Sequence, residues 1–289
     1  MAEVVIIGPA ALNQIVRLDA LPEQRPHTLT ARSHHLALGG TSAGKTLHLA
    51  WLGRSTLCVT MVGDDADAAA ITRALAADRV EVLALTAPGP SEHHLNLMTE
   101  RGERLSIYLD HAPARAVTPA ERRRVHAELA QAKAVALDLS RVGLLLIDEV
   151  ANSGAPVWVD VHDYDGRTEF HAPFVAAADV LLMNADGMAD PVPFLRAQVK
   201  RGARTAVCTL GPDGAVGVAG DGTVVTVAAE PAVIVDTNGA GDAFMAGMMH
   251  ASLGWSDSSA WSAEHLAEAM TAGAKQAVRA LASSGVGPA

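Results

Sequence analysis

The sequence predicts an α/β fold, with a mostly parallel central sheet covered by helices and a smaller β sheet standing off it. Three observations carry this. Residues 4–7, 57–62, 134–139, 157–161 and 180–183 are near-continuous apolar runs, as expected of strands buried on both faces of a parallel sheet. Segments with helical spacing at 66–77, 141–152, 191–200 and 263–282 alternate with strands, which implies βαβ crossovers. The rhythm then breaks twice, at 12–38 and at 94–110, where extended segments replace the expected helix.

Taken in order, the first strand ends at Gly8, and 12–38 carries Pro22, Pro26 and His34-His35 with no sustained helical period. Gly39-Gly40 closes that excursion, and 47–52 reads as a helix ended by Gly53. A strand, a Gly63-Asp64-Asp65 loop, a helix and a strand at 80–85 follow. Residues 95–99 and 105–109 alternate apolar and polar across a Glu100–Arg104 turn, which predicts a hairpin with one dry face carrying Leu95, Leu97, Leu105, Ile107 and Leu109. After a strand at 205–209, residues 215–218 and 224–227 flank Gly220-Asp221-Gly222 as a second hairpin. The β-branched run 233–235 predicts one more strand, leading into Gly239-Ala240-Gly241 and a helix.

Composition narrows the function classes. A chain of 289 residues that is 49% apolar has material for a large core, and its formal charge of -10 disfavours a grip on nucleic-acid phosphates. Arg122-Arg123-Arg124 lies in a stretch with helical spacing and reads as a solvated face. Cys58 and Cys208 stand in apolar runs as small buried hydrophobes, which fits a reducing cytoplasm. Residues 1–7 are too short and too acidic for a signal peptide, and no apolar run is long enough for a membrane helix. A cytoplasmic protein is expected.

The stretch richest in chemistry is 233–251. A strand, a glycine turn and a helix start aim free amides at an anion, and Asp242 follows the turn directly. As an N-cap its carboxylate would serve stability. As a base it would take a proton from a hydroxyl attacking a phosphoryl group. Gly39 to Thr46 also fits G-x-x-x-x-G-K-[ST], the phosphate loop of P-loop NTPases. That reading needs a strong strand before it and an aspartate-ended strand elsewhere. Residues 33–38 are weak and mixed, and 144–152 ends as a helix ends.

The run Asp236-Thr237-Asn238-Gly239-Ala240-Gly241-Asp242-Ala243-Phe244, with Gly247, resembles the C-terminal signature of the ribokinase (PfkB-type) carbohydrate kinase family at every defined position. Residues 39–53 are similar to its N-terminal signature through Gly39, Gly40, Leu52 and Gly53, with Gly44 where the family has asparagine and Thr46 where it has alanine. Thr209-Leu210-Gly211-Pro212-Asp213-Gly214 matches T-x-G-x-x-G. Asn184 stands for the asparagine of N-x-x-E, whose glutamate is replaced by Gly187, and Asn13 stands where a sugar-binding aspartate is usual.

The resemblance implies a ribokinase-like three-layer fold over 1–289, with a β lid from insertions at about 12–38 and 93–112. It implies Asp242 as general base and Gly239, Ala240 and Gly241 as the anion hole. Asn13, Gly39, Gly40, Thr41 and Lys45 would bind the acceptor, and Asn184, Thr209, Gly211 and Gly214 the nucleotide. Lys45 either meets a phosphate or carboxylate on the acceptor or projects into solvent. The implied reaction is ATP-dependent phosphorylation of a primary hydroxyl on a small sugar or sugar-like acceptor, with a nucleoside as the alternative. Mg2+ would bridge the nucleotide phosphates, K+ would bind near Asp236, and a homodimer could form through the lid. The other two readings are a P-loop NTPase built on Lys45 and a sugar sensor without turnover. Asp160 to Asp165 gathers metal-ligating residue types, but alternation along a strand scatters them, so they read as cleft lining. His34-His35 and His93-His94 fall in the lid and read as solvated side chains or substrate contacts.

Overall fold

A computed structural model describes residues 1–100, 102–255, 261–283 and 285–288. The predicted hairpin turn at 100–104 is therefore described except at Arg101. The parallel core of the large sheet comprises β1 (Val4–Ile7), β4 (Thr56–Val62), β5 (Val80–Thr86), β8 (Ala134–Leu137), β9 (Val157–Asp160), β10 (Val180–Asn184) and β11 (Thr205–Thr209). The antiparallel pair β12 (Ala215–Val218) and β13 (Val224–Val227) extends it, in the order β13-β12-β11-β10-β9-β8-β1-β4-β5. A second sheet has the order β3-β2-β6-β7, from β2 (Ala11–Leu18), β3 (Ser33–Gly39), β6 (His93–Thr99) and β7 (Arg104–Asp110). Its strands occupy the two predicted interruptions, overrunning them by one residue at Ala11, Gly39 and His93.

Successive residues of β1 feed opposite layers, as a strand with period two must. Val5 and Ile7 join a core shared with α3 (Pro119–Leu129), α4 (Arg141–Ala151), α5 (Ala172–Ala177) and α6 (Val192–Lys200). Val4 and Ile6 join the opposite core, shared with α1 (Thr41–Trp51), α7 (Ala240–Ser252) and α8 (Ala263–Leu281). A third cluster holds Ile71 and Leu75 of α2 (Ala66–Leu75) against Leu12 and Cys58. Cys58 and Cys208 are free and buried. The α7–α8 contact depends on glycine, because a Cβ on Gly247 would come 2.6 Å from the Ala272 carbonyl oxygen. No helix among the described residues is long and apolar enough to cross a membrane.

Three expectations need correction. Residues 233–235 form no strand: the sheet ends at β13, and Val233, Ile234 and Val235 lie exposed, held where Val235 N donates to Leu281 O at 2.7 Å and Arg17 Nη2 donates to Val235 O at 3.5 Å. Helix α1 begins at Thr41, six residues before the expected start, because Gly40 turns the chain at φ 92° and the small residues after it pack inward. In the 94–110 hairpin the face that is buried is the opposite one, and it is buried on β6 alone, since β7 is exposed on both faces. Asn96 and Met98 are buried, whereas Leu105, Ile107 and Leu109 are exposed beside half-buried Leu95 and Leu97. Leu95 pairs with Ile107 and Leu97 with Leu105, so an apolar strip faces outward.

Candidate active site

The carboxyl ends of β1, β8 and β9 meet the first turns of α1 and α7, where ligands bind in sheets of this kind. Gly239 caps α7 in the left-handed conformation (φ 78°), which glycine adopts without strain. The first intrahelical bond runs from Ala243 N to Gly239 O at 2.9 Å, so the amides of Ala240, Gly241 and Asp242 precede the helical ladder. Together with the helix dipole they suit an anion. Asp242 follows in the first turn, buried.

The sharpest feature is what Asp242 touches. Lys45, 0% exposed, places Nζ 2.6 Å from Asp242 Oδ1, 2.9 Å from Asp138 Oδ1 and 4.0 Å from Asp160 Oδ2. Ser42 Oγ donates to the other oxygen of Asp138 at 2.6 Å. Asp160 Oδ1 accepts from the His162 amide at 2.9 Å. Burial alone would depress the Lys45 ammonium, but Asp138, Asp242 and Asp160 together hold it well above its ordinary range. Burial pushes the Asp242 carboxyl up to about 6, against the pull of Lys45 and with help from Asp138. The partners shift in the same direction for different reasons: at Lys45 three anions together outweigh burial, whereas at Asp242 burial, with Asp138, outweighs the pull of Lys45 and His162.

Beside this cluster opens a cavity of about 490 Å3. Gly8, Thr41 and His162 line it, and a Cβ on Gly8 would come 2.7 Å from Asp138 Cβ. Tyr108, His111 and Phe170 line it as well, with the Tyr108 and His111 rings stacked at 5.2 Å. Asn13 is buried against Gly39, and its Oδ1 has no hydrogen-bond partner in the structure. Asp163 joins the lining, whereas Asp165 closes a local turn through the Arg167 and Thr168 amides. Among the described residues no cluster of three or more His, Cys, Asp or Glu suits a metal. His34 and His35 are exposed, and His93 and His94 pair with Asp67 and Glu92.

On the other side, Asn184 and Thr209 are register partners at the ends of β10 and β11. The turn that follows puts Gly211 at φ 58° and Gly214 at φ 93°, conformations that favour glycine. Asn184 Oδ1 accepts from the Asp186 amide. At Gly187 a Cβ would overlap the Asp163 carbonyl oxygen, which explains why the family's glutamate is missing there.

The small sheet reaches the glycine-turn loop through two arginines. Arg17 Nη2 lies 3.6 Å from Asp236 Oδ2, and Arg104 donates to Asn238 Oδ1 at 3.0 Å. Asp236 Oδ1 accepts from Asn238 N at 2.8 Å, while its buried Oδ2 makes no hydrogen bond. A guanidinium already faces the oxygen a monovalent cation would take. The residues present therefore fit Arg17, not K+.

The P-loop reading is overturned. Gly44-Lys45-Thr46 lies inside α1, and Lys45 is engaged by carboxylates. Neither expectation for Lys45, a contact to a phosphate or carboxylate on the acceptor or exposure to solvent, matches its buried position among this chain's own carboxylates. Asp138 and Ser42 were missed, although Asp138 directly follows an apolar strand, as Asn184 ends one.

The pfkB family carbohydrate kinase model matches residues 1–288. The chain belongs to the pfkB carbohydrate kinase family. It is 27% identical over 258 residues to an acarbose 7(IV)-phosphotransferase of Actinoplanes sp., covering 86% of this chain and 84% of that protein. A microbiome-derived acarbose kinase superposes with a TM-score of 0.87 at 24% identity, covering all of this chain and 95% of that one. Ribokinase from Giardia lamblia superposes at 0.85 and 17% identity, covering 99% and 95%. This pfkB kinase is thus an ATP-dependent phosphotransferase of sugar-type acceptors.

Restoring the family's glutamate should harm this kinase. Gly187→Glu is expected to cost about 1–3 kcal/mol by overpacking against Asp163, read as a lower urea midpoint at unchanged slope. A midpoint equal to wild type would refute the steric account.

Proposed function

We propose that this pfkB kinase moves the γ-phosphoryl of ATP onto a hydroxyl of an acceptor in the 490 Å3 cavity, with Asp242 as general base. The observation that carries this is a buried carboxylate in the first turn of α7, beside amides that precede the helical ladder. The acceptor oxygen forms a bond to the γ-phosphorus as its proton passes to Asp242. The bond from that phosphorus to the bridging oxygen breaks, and its electron pair leaves with ADP. The amides of Gly239, Ala240 and Gly241 would steady the developing negative charge. Asn184, Thr209, Gly211 and Gly214 would form the nucleotide wall, and Asn13, Gly39, Gly40 and Thr41 the inner acceptor wall. When bound, Mg2+ would neutralise phosphate charge, held mainly by the phosphates themselves.

The acceptor we favour has more than one ring. The cavity runs from Gly8 and Thr41 out to Tyr108, His111 and Phe170, whose ring faces suit the apolar faces of sugars. Two relatives are named for acarbose, one for transfer to a numbered ring of it. The small sheet would act as a lid that keeps water from the phosphoryl group. Its outward strip of Leu95, Leu97, Leu105 and Ile107 favours a homodimer through the lid. The same reading puts the enzyme in the cytoplasm, where ATP is available.

Three measurements test this. Asp242→Asn should retain ATP binding by calorimetry while turnover drops roughly 10²–10⁴-fold, and wild-type kcat/KM should fall below about pH 6, where Asp242 protonates. A variant keeping a third of the wild-type rate would remove Asp242 from the reaction. On a panel of mono- and oligosaccharides read by ADP release, the longer acceptors should give the higher kcat/KM; equal or better use of a single ring would refute the multi-ring reading. Light scattering should return twice the chain mass, and Ile107→Asp should halve it. A wild-type mass of one chain would remove the dimer.

A further inference from the structure

We propose that Lys45 is a positioning residue that holds the base Asp242 by one oxygen and leaves the other for the acceptor hydroxyl, with Gly44 clearing the space. This rests on the assignment of Asp242 as base. The tethered atom is Oδ1, 2.6 Å from Nζ. The other, Oδ2, faces Gly44: a Cβ there would come 3.1 Å from both Asp242 Oδ2 and Cβ, and 3.3 Å from Cγ, so a side chain at 44 would press on the carboxylate where it now stands. Gly44 and Lys45 are therefore one device, in which the missing side chain admits the aspartate and the next residue secures it.

The ammonium cannot wander. Asp138 holds it at 2.9 Å, and Asp138 is itself fixed through its second oxygen by Ser42 Oγ at 2.6 Å. Ser42 and Lys45 are i and i+3 on α1, so a single helix face sets both ends of this brace. The groups facing Asp242 are Lys45 from α1, Asp138 from the end of β8, and Asp160 and His162 at the end of β9. With three buried carboxylates and one ammonium, removal of Lys45 leaves no lysine or arginine among them. The carboxylates must then share a proton, and Asp242, already raised to about 6, takes it first. A protonated Asp242 cannot accept the acceptor's proton.

Lys45→Met tests this, because methionine fills the space without the charge. The acid limb of kcat/KM should move up by at least about one pH unit, with turnover at pH 7 down at least about tenfold and partly recovered at pH 9. ATP affinity by calorimetry should stay within about threefold. A 13C titration of the Asp242 carboxyl by NMR reads the same shift with no acceptor present, so failure to find the acceptor leaves this test standing. An Asp242 titration identical in wild type and variant would overturn the proposal, as would a loss of rate equal at every pH. Should Lys45→Met fail to fold, Asp138→Asn replaces it. With Asp138 neutral, Lys45 serves Asp242 more fully and the Asp242 titration should move down; an unmoved titration there would equally overturn the proposal.

Discussion

Much of this structure depends on one buried ammonium. Lys45 lies between the carboxyl ends of β8 and β9 and the first turn of α7, facing Asp138, Asp160 and Asp242. A charge in that position is costly unless paired and hydrogen-bonded. It sits on the inward face of α1, which begins at Thr41 and buries Ser42, Ala43 and Gly44 as well. It also constrains α7, whose first turn leans on α1 at Gly44. Two helices far apart in the chain are thereby set against each other where the phosphoryl group would pass.

In the proposed function, the two halves of the site are built by different means. The anion-binding half is backbone: a left-handed Gly239, amides ahead of the first helical bond, and the turn through Gly211 and Gly214. Backbone amides bind any phosphate chain alike, which suits a common donor. The acceptor half is made of side chains, with the Tyr108–His111 stack, Phe170 and His162 around the cavity. It has room for a ligand larger than a single small ring. On that reading, specificity would reside in the small sheet and the β9–α5 connection.

Most strands were legible because burial on both faces leaves an unmistakable apolar run, as in 4–7 and 134–137. The run 233–235 has the same appearance but no neighbouring strand to pair with, a fact of topology that local sequence does not carry. The early turns of α1 were missed because Gly-Thr-Ser-Ala-Gly has loop propensity, overridden here by packing against α7. In the 94–110 hairpin alternation fixed two faces but not which one the fold would cover, and the polar Asn96 went inside. The candidacy of Asp242 was legible from its motif. The setting of Lys45 was not, since its partners lie 93, 115 and 197 residues along the chain, and only the fold brings four ionisable groups together.

The two arginines that tie the small sheet to the glycine-turn loop have a consequence for how the enzyme responds to its solution. If the small sheet covers the acceptor as proposed, Arg17 on Asp236 and Arg104 on Asn238 fasten that cover to the strip of chain that leads into α7. Entry of one ligand and anchorage of the other would then be linked, and the two substrates should not load independently. The Arg104 contact is exposed, and bonds of that kind weaken as counter-ions accumulate. Ionic strength thus becomes a throttle on how readily the door stands open.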